Sequence, residues 1–206
     1  MWVLFHLGVL YSRRSFIVTG MCATIGSLKA CAEDESASIA ATPSRRCLHY
    51  YGPIESKSLL SLNSLLTNMA YESDEPIHLH IQSGGGELVP ALYTSDLILS
   101  LPVPIHTYVD GFCASAATLL STSGDVRHMS KKSIFMIHQL STGHAGKYME
   151  LVQSMSNSEM LMDKLVSFYM ERSIIEKREL DELMKIDKYL DAAMCYKYGL
   201  IDIIDG

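Results

Sequence analysis

The sequence predicts an α/β domain with a parallel-type sheet and a helical excursion between residues 147 and 185. Three observations predict it. Short segments with strand-like alternation recur along the body of the chain. Segments with apolar residues at helical spacing follow them. Clusters of glycine and proline mark the changes from one to the other.

The 206 residues suit one domain of ordinary size with a sizeable core. Taken in order, Cys47 to Tyr51 (CLHYY) reads as a first strand, closed by Gly52-Pro53. Ser56 to Ala70 reads as a helix, with Leu59, Leu62, Leu66 and Met69 near one face, and Asp74-Glu75-Pro76 stops it. Ile77 to Gln82 (IHLHIQ) alternates strictly, the mark of a strand. Ser83-Gly84-Gly85-Gly86 turns the chain into a helix over residues 88–100, where Pro90 is tolerable only in the first turn.

Pro102 and Pro104 bracket the entry to a strand over 103–109. Gly111 to Ala114 leads to Ser115 and a small-residue helix over 115–122. Residues 126–129 and 133–138 read as short strands. A long helix follows over 147–171, with Leu151, Met155, Met162, Leu165 and Tyr169 as its expected buried stripe. Further helices cover 176–185 and 191–198, and residues 200–204 (LIDII) end the pattern.

Charge divides the chain. Residues 1–32 contain Arg13, Arg14 and Lys29 and no acid, so they carry +3, which leaves -9 for the rest of a chain whose net charge is -6. An acidic body without a Lys/Arg cluster speaks against a nucleic-acid partner. Residues 1–32 are expected to be a targeting segment, and residues 33–45 (EDESASIAATPSR) a linker, ahead of a domain over 46–206. Three origins compete for the first segment: an organelle transit peptide to the plastid stroma or mitochondrial matrix, which we favour; a twin-arginine-like export signal around Arg13-Arg14; and a misassigned start, which leaves a cytoplasmic protein. No apolar run reaches the length of an integral membrane span. The five cysteines include no C-x-x-C pair, so reduced thiols are the default.

Several residues could carry chemistry. Ser115 stands where a strand and loop pass into a helix, so unpaired N–H groups could receive an oxyanion beside it. Serine is also a common helix N-cap. The glycine loop 84–86 can present N–H groups to an anion, or simply form a tight turn. It lacks the Gly-Lys-Ser/Thr ending of a nucleotide-binding loop, so no ATP site is expected. His138 ends an apolar strand and could act as general base. Asp187 lies in a short break between two helices and could orient a histidine, or be a helix-boundary residue. Cys113 is a rival nucleophile or a small buried thiol. His78 and His80 lie at i, i+2 on one strand face. With no third ligand evident, they read as a packed polar face and no metal is expected.

The order of these pieces resembles the proteolytic subunit of Clp protease from about residue 46 to 204. Ile77 to Gly86 (IHLHIQSGGG) is similar to that family's strand and glycine loop. Gly111 to Ala116 (GFCASA) resembles its nucleophile segment, and Phe135 to Gln139 (FMIHQ) its histidine segment. Asp187-Lys188-Tyr189-Leu190 resembles its aspartate segment, and Tyr198 to Asp202 (YGLID) its closing segment.

The resemblance implies a crotonase-like fold with a repeated ββα core and a protruding helical handle at 147–171. It implies a serine endopeptidase with Ser115 as nucleophile, His138 as general base and acid, and Asp187 orienting the imidazole. Gly86 and Ala116 would supply the oxyanion hole. Glu87, Leu88, Val89, Leu140 and Ser141 would flank an extended substrate, held by backbone pairing. It also implies a heptameric ring, paired or mixed with related subunits, no cofactor in this chain, and a separate ATP-driven unfoldase.

The sequence departs from the family pattern at four places. Gln82-Ser83-Gly84 stands for Asn-Ser-Pro, Leu140 for a proline and Ile186 for a basic residue, and residues 33–45 lack a clear axial loop. Three other readings compete: a non-catalytic ring subunit, a crotonase-type acyl-CoA enzyme, and a Ser–Lys protease using Lys131, Lys132 or Lys147.

Overall fold

A computed structural model describes residues 38–42 and 46–206. The expected targeting segment, 1–32, lies outside the described residues. Ser38–Thr42 forms strand β1 and pairs antiparallel with β2, Cys47–Tyr51. The segment expected to be a linker therefore contributes an edge strand. Its small residues gave no periodicity from which to predict one.

The next pairings along the sheet are parallel. β2 pairs with β3 (Ile77–Ser83), β3 with β4 (Ile105–Ala114), β4 with β5 (Val126–Ser130), and β5 with β8 (Ile203–Asp205), all parallel. Parallel neighbours need crossovers. Helix α1 (Ser56–Glu72) connects β2 to β3, α2 (Leu88–Ser100) connects β3 to β4, and α3 (Ala117–Thr122) connects β4 to β5. Leu59, Leu62 and Leu66 of α1 are buried as their spacing predicts, with Met69 packed at the edge of the core. Pro90 falls in the first turn of α2, where its missing N–H costs nothing. On the helix-covered face of the sheet Leu48, Tyr50, Leu79, Ile81, Ile105 and Val109 are buried.

The strand expected at 103–109 continues to Ala114, and this extension shapes the domain. The first half of β4 pairs with β5, from His106 with Val126 to Val109 with Met129. Its second half pairs with β6 (Ile134–Met136), from Phe112 with Ile134 to Ala114 with Met136. Ser133 bridges the fork. Its hydroxyl accepts from the Gly111 N–H at 2.8 Å and donates to the Val109 carbonyl at 3.0 Å.

Helix α4 (Tyr148–Arg172) corrects one expectation. Leu165, Phe168 and Tyr169 are buried, but Leu151 and Met155 are exposed. The core ends before the helix does, so the apolar stripe runs on past any neighbour among the described residues. Helices α5 (Lys177–Met184) and α6 (Ala192–Lys197) flank β7 (Tyr189–Leu190), a strand too short to show periodicity. No helix among the described residues is long and apolar enough to cross a membrane.

An Arg–carboxylate fork ties the far edge of the sheet to α4. Arg127 reaches both oxygens of Asp202, at 2.9 and 2.6 Å, and donates to the Arg172 carbonyl at 2.7 Å. The Arg127 hydrogen bonds hold the Asp202 carboxyl below its ordinary value, against a smaller opposing effect of burial. A depressed carboxylate pKa contributes stability above the unfolded value, and that stability is lost as pH falls through the folded one. Asp202→Asn is therefore expected to lower Tm by a few degrees at pH 7. The gap to the parent should close on acidification below about pH 4. Thermal melts of both proteins across that range check this.

Candidate active site

The ends of three parallel strands and the start of a fourth, antiparallel one build the site. Register explains the meeting. β3 and β4 pair through Ser83 and Cys113, so two residues further on Gly85 faces Ser115. β4 and β6 pair through Ala114 and Met136, and the Ser115 N–H then donates to the Met136 carbonyl at 2.8 Å. β6 and β7 run antiparallel, with Phe135 opposite Leu190 and Met136 opposite Tyr189. Continued by two residues, that register sets His138 opposite Asp187. Ligands of parallel α/β sheets bind at these carboxyl ends of strands.

Ser115 is not a helix N-cap. That position belongs to Ala116, and Ser115 sits just before it with φ 55, in the left-handed region. A non-glycine residue there is uncommon, and such positions cluster at functional sites. The hydroxyl is 2.7 Å from His138 Nε2. His138 Nδ1 lies 3.4 Å from Asp187 Oδ1, a separation longer than a good hydrogen bond. Asp187 is the outlying member: its side chain is 77% exposed, against 21% for His138. The chain around His138 is held from the other side, where the Gln139 N–H donates to the Met184 carbonyl at the end of α5, at 2.7 Å.

The Ser115 turn is braced from beneath. Thr118 Oγ1 donates to the Ser115 carbonyl at 2.5 Å. That uses the only proton of Thr118, so Tyr169, whose hydroxyl is also 2.5 Å from Thr118 Oγ1, must be the donor in that second contact. Burial pushes the Tyr169 phenol well above its ordinary pKa, so it keeps its proton. The base of α4 therefore fixes the backbone that carries Ser115.

Two glycines permit the loop to approach. Gly85 has φ 96, and a Cβ there would lie 2.6 Å from Ser115 Cβ and 3.2 Å from the Ala116 nitrogen. Gly86 has φ 152, and a Cβ there would strike the Ile54 carbonyl at 2.1 Å. Ile54 clamps the loop: its N–H donates to the Gly85 carbonyl and its carbonyl accepts from the Glu87 N–H. Among the described residues, neither the Gly86 nor the Ala116 N–H has a hydrogen-bond acceptor. Both residues line the pocket over Ser115. The arrangement offers a hydroxyl, an imidazole and two free donors around one point, which suits attack on a carbonyl.

That pocket, of about 90 Å³, is lined by Leu88, His138, Gln139, Leu140, Ser141, Leu165 and Tyr169 together with Gly86, Ser115 and Ala116. Three of the five expected substrate contacts are thus at its wall. Glu87 instead accepts the Ser56 hydroxyl, and Val89 lines a separate groove with Leu92 and Tyr93. Leu88 and Val89 also lie in the first turn of α2, so neither is the extended strand edge expected for backbone pairing. Gln139 escaped the sequence reading. Leu165 and Tyr169 were legible only as helix core.

The rivals are positioned otherwise. Cys113 is fully buried, and burial pushes its thiol up, so it supplies no thiolate. Lys131, Lys132 and Lys147 are exposed and none lines the pocket. His78 and His80 do share a face, as expected, but they take separate partners: Tyr108 at 2.8 Å and Asp110 at 2.9 Å. A family model described as Clp protease matches residues 32–205, and the chain accordingly belongs to the Clp protease family.

Proposed function

We propose that this chain is a serine endopeptidase subunit that cleaves unfolded polypeptides. It would do so inside a heptameric ring, single or paired, or mixed with related subunits, fed by a separate ATP-driven unfoldase. The observation that carries the peptidase reading is the 2.7 Å contact between Ser115 Oγ and His138 Nε2 beside two unpaired N–H groups. Family membership supports the assembly and the partner.

In this reading His138 Nε2 takes the Ser115 proton as Oγ attacks the peptide carbonyl. The N–H groups of Gly86 and Ala116 receive the negative oxygen of the tetrahedral intermediate. The imidazolium then protonates the departing amine, and an acyl-serine remains. Water enters, His138 accepts its proton, and the acid product leaves with Ser115 restored. Asp187 holds the tautomer with Nδ1 protonated and stabilises the charged ring. The pocket between Leu88, Leu165 and Tyr169 would take an apolar side chain next to the scissile bond.

One observation favours a second reading, a non-catalytic ring subunit: the 3.4 Å gap to a mostly exposed Asp187. Catalytic contacts often tighten only when substrate binds, so the gap does not exclude turnover. Labelling of the assembled protein with a fluorophosphonate, followed by mapping of the adduct, separates the two. A Ser115 adduct is expected, and its absence selects the non-catalytic reading.

Ser115→Ala and His138→Ala are each expected to reduce peptide turnover by roughly 10⁴-fold. Gly85→Ala should push Ser115 out of line and cost roughly 10²-fold in kcat. Its thermal melt should report whether the loss extends to the fold. Native mass spectrometry of the assembled protein is expected to give seven subunits per ring.

A further inference from the structure

The sheet has a second face, opposite the core helices, and it is rich in histidine. In β2, β3, β4 and β5 the residues that alternate with the buried ones are half-buried, and they include His49, His78, His80, His106, Tyr108 and His128. Parallel register stacks them in rungs. His49 pairs with His80, His80 with Tyr108, and Tyr108 with His128. The rings lie face to face, at 4.7, 4.4 and 4.3 Å between centroids.

Most of these side chains meet one polar partner, as His128 meets Asp205 at 3.1 Å. One corner differs. His49, His80 and Asp110 each present a ligand atom, and the three atoms lie within 4.8 Å of one another. No other such trio of His, Cys, Asp or Glu occurs among the described residues. The three residues come from three adjacent strands, so the sheet itself fixes their spacing.

We propose that His49, His80 and Asp110 form a binding site for a divalent ion of the zinc class. Two imidazoles and one carboxylate are a donor set that such ions accept, with a fourth position left for water. At zinc bond lengths tetrahedral ligand atoms stand about 3.3 Å apart, so small side-chain rotations close the site. Tyr51 supports it from outside. Its hydroxyl donates to Asp110 Oδ2 at 2.9 Å and lies 3.1 Å from His49 Nδ1. Such an outer partner orients the carboxylate and the ring. Among the described residues no lysine or arginine pairs with Asp110, so no fixed cation competes for it. The site is independent of the peptidase chemistry.

The test is equilibrium dialysis of the full chain against Zn²⁺ after chelator treatment, with metal counted by elemental analysis and Co²⁺ absorption reporting coordination. One equivalent per chain and a four-coordinate Co²⁺ spectrum are expected. His80→Gln and Asp110→Asn should each abolish the stoichiometric uptake, and Tyr51→Phe should weaken it by roughly 10–100-fold. His106→Gln, on the same face but outside the trio, and His138→Ala should retain it. In the unmutated chain, Zn²⁺ should also protect His49 and His80, but not exposed His144, from diethylpyrocarbonate. This reads the site without any variant having to fold. Failure of the parent chain to take up one equivalent overturns the proposal. So does uptake that survives in a folded His80→Gln or Asp110→Asn protein, or modification of His49 and His80 unchanged by Zn²⁺.

Discussion

Strand β4 has different neighbours along its length, and the geometry of the domain depends on that. Its first half is closed by β5 and its second half by β6, with the Ser133 hydroxyl joining the two sides of the fork. A strand shared in this way carries one backbone from the centre of the sheet to its carboxyl edge. It delivers Ser115 to the point where the glycine loop of β3 and the histidine of β6 also end. Each alignment is a consequence of hydrogen-bond register, which is fixed over several rungs and cannot slip by one residue without turning core side chains outward.

The same strand connects two regions of different chemistry. Asp110 faces the histidine-lined side of the sheet, and Ser115 stands at its edge five residues later. Beneath the edge, α4 enters through Tyr169 and Thr118 and fixes the carbonyl of Ser115. The helix that extends beyond the core is thus also the one that braces the Ser115 turn. Changes in how α4 is held would reach Ser115 through two hydrogen bonds.

Much of this was legible in the sequence. Strict alternation in Ile77 to Gln82 and helical spacing in Leu59, Leu62 and Leu66 gave the core elements, because one face of each is buried. Ser115, His138 and Asp187 were individually ordinary. Their order and flanking segments made them candidates, and the structure brings the three side chains together. Other features were hidden for physical reasons. β7 has two residues and no period to detect, yet its pairing with β6 is what sets Asp187 opposite His138. The grouping of His49 with Asp110 depends on register between strands far apart in sequence. The exposed half of α4 shows the converse limit: Leu151 and Met155 follow the apolar period faithfully, but period alone cannot say where the core stops.

The left-handed backbone of Ser115 has a consequence for how the domain tolerates change. A side chain in that conformation costs about 1–2 kcal/mol that glycine would not incur. A search for thermostable variants, blind to activity, would therefore be drawn to this position and reward the loss of the hydroxyl. Folding alone would thus favour a residue other than the serine that stands there.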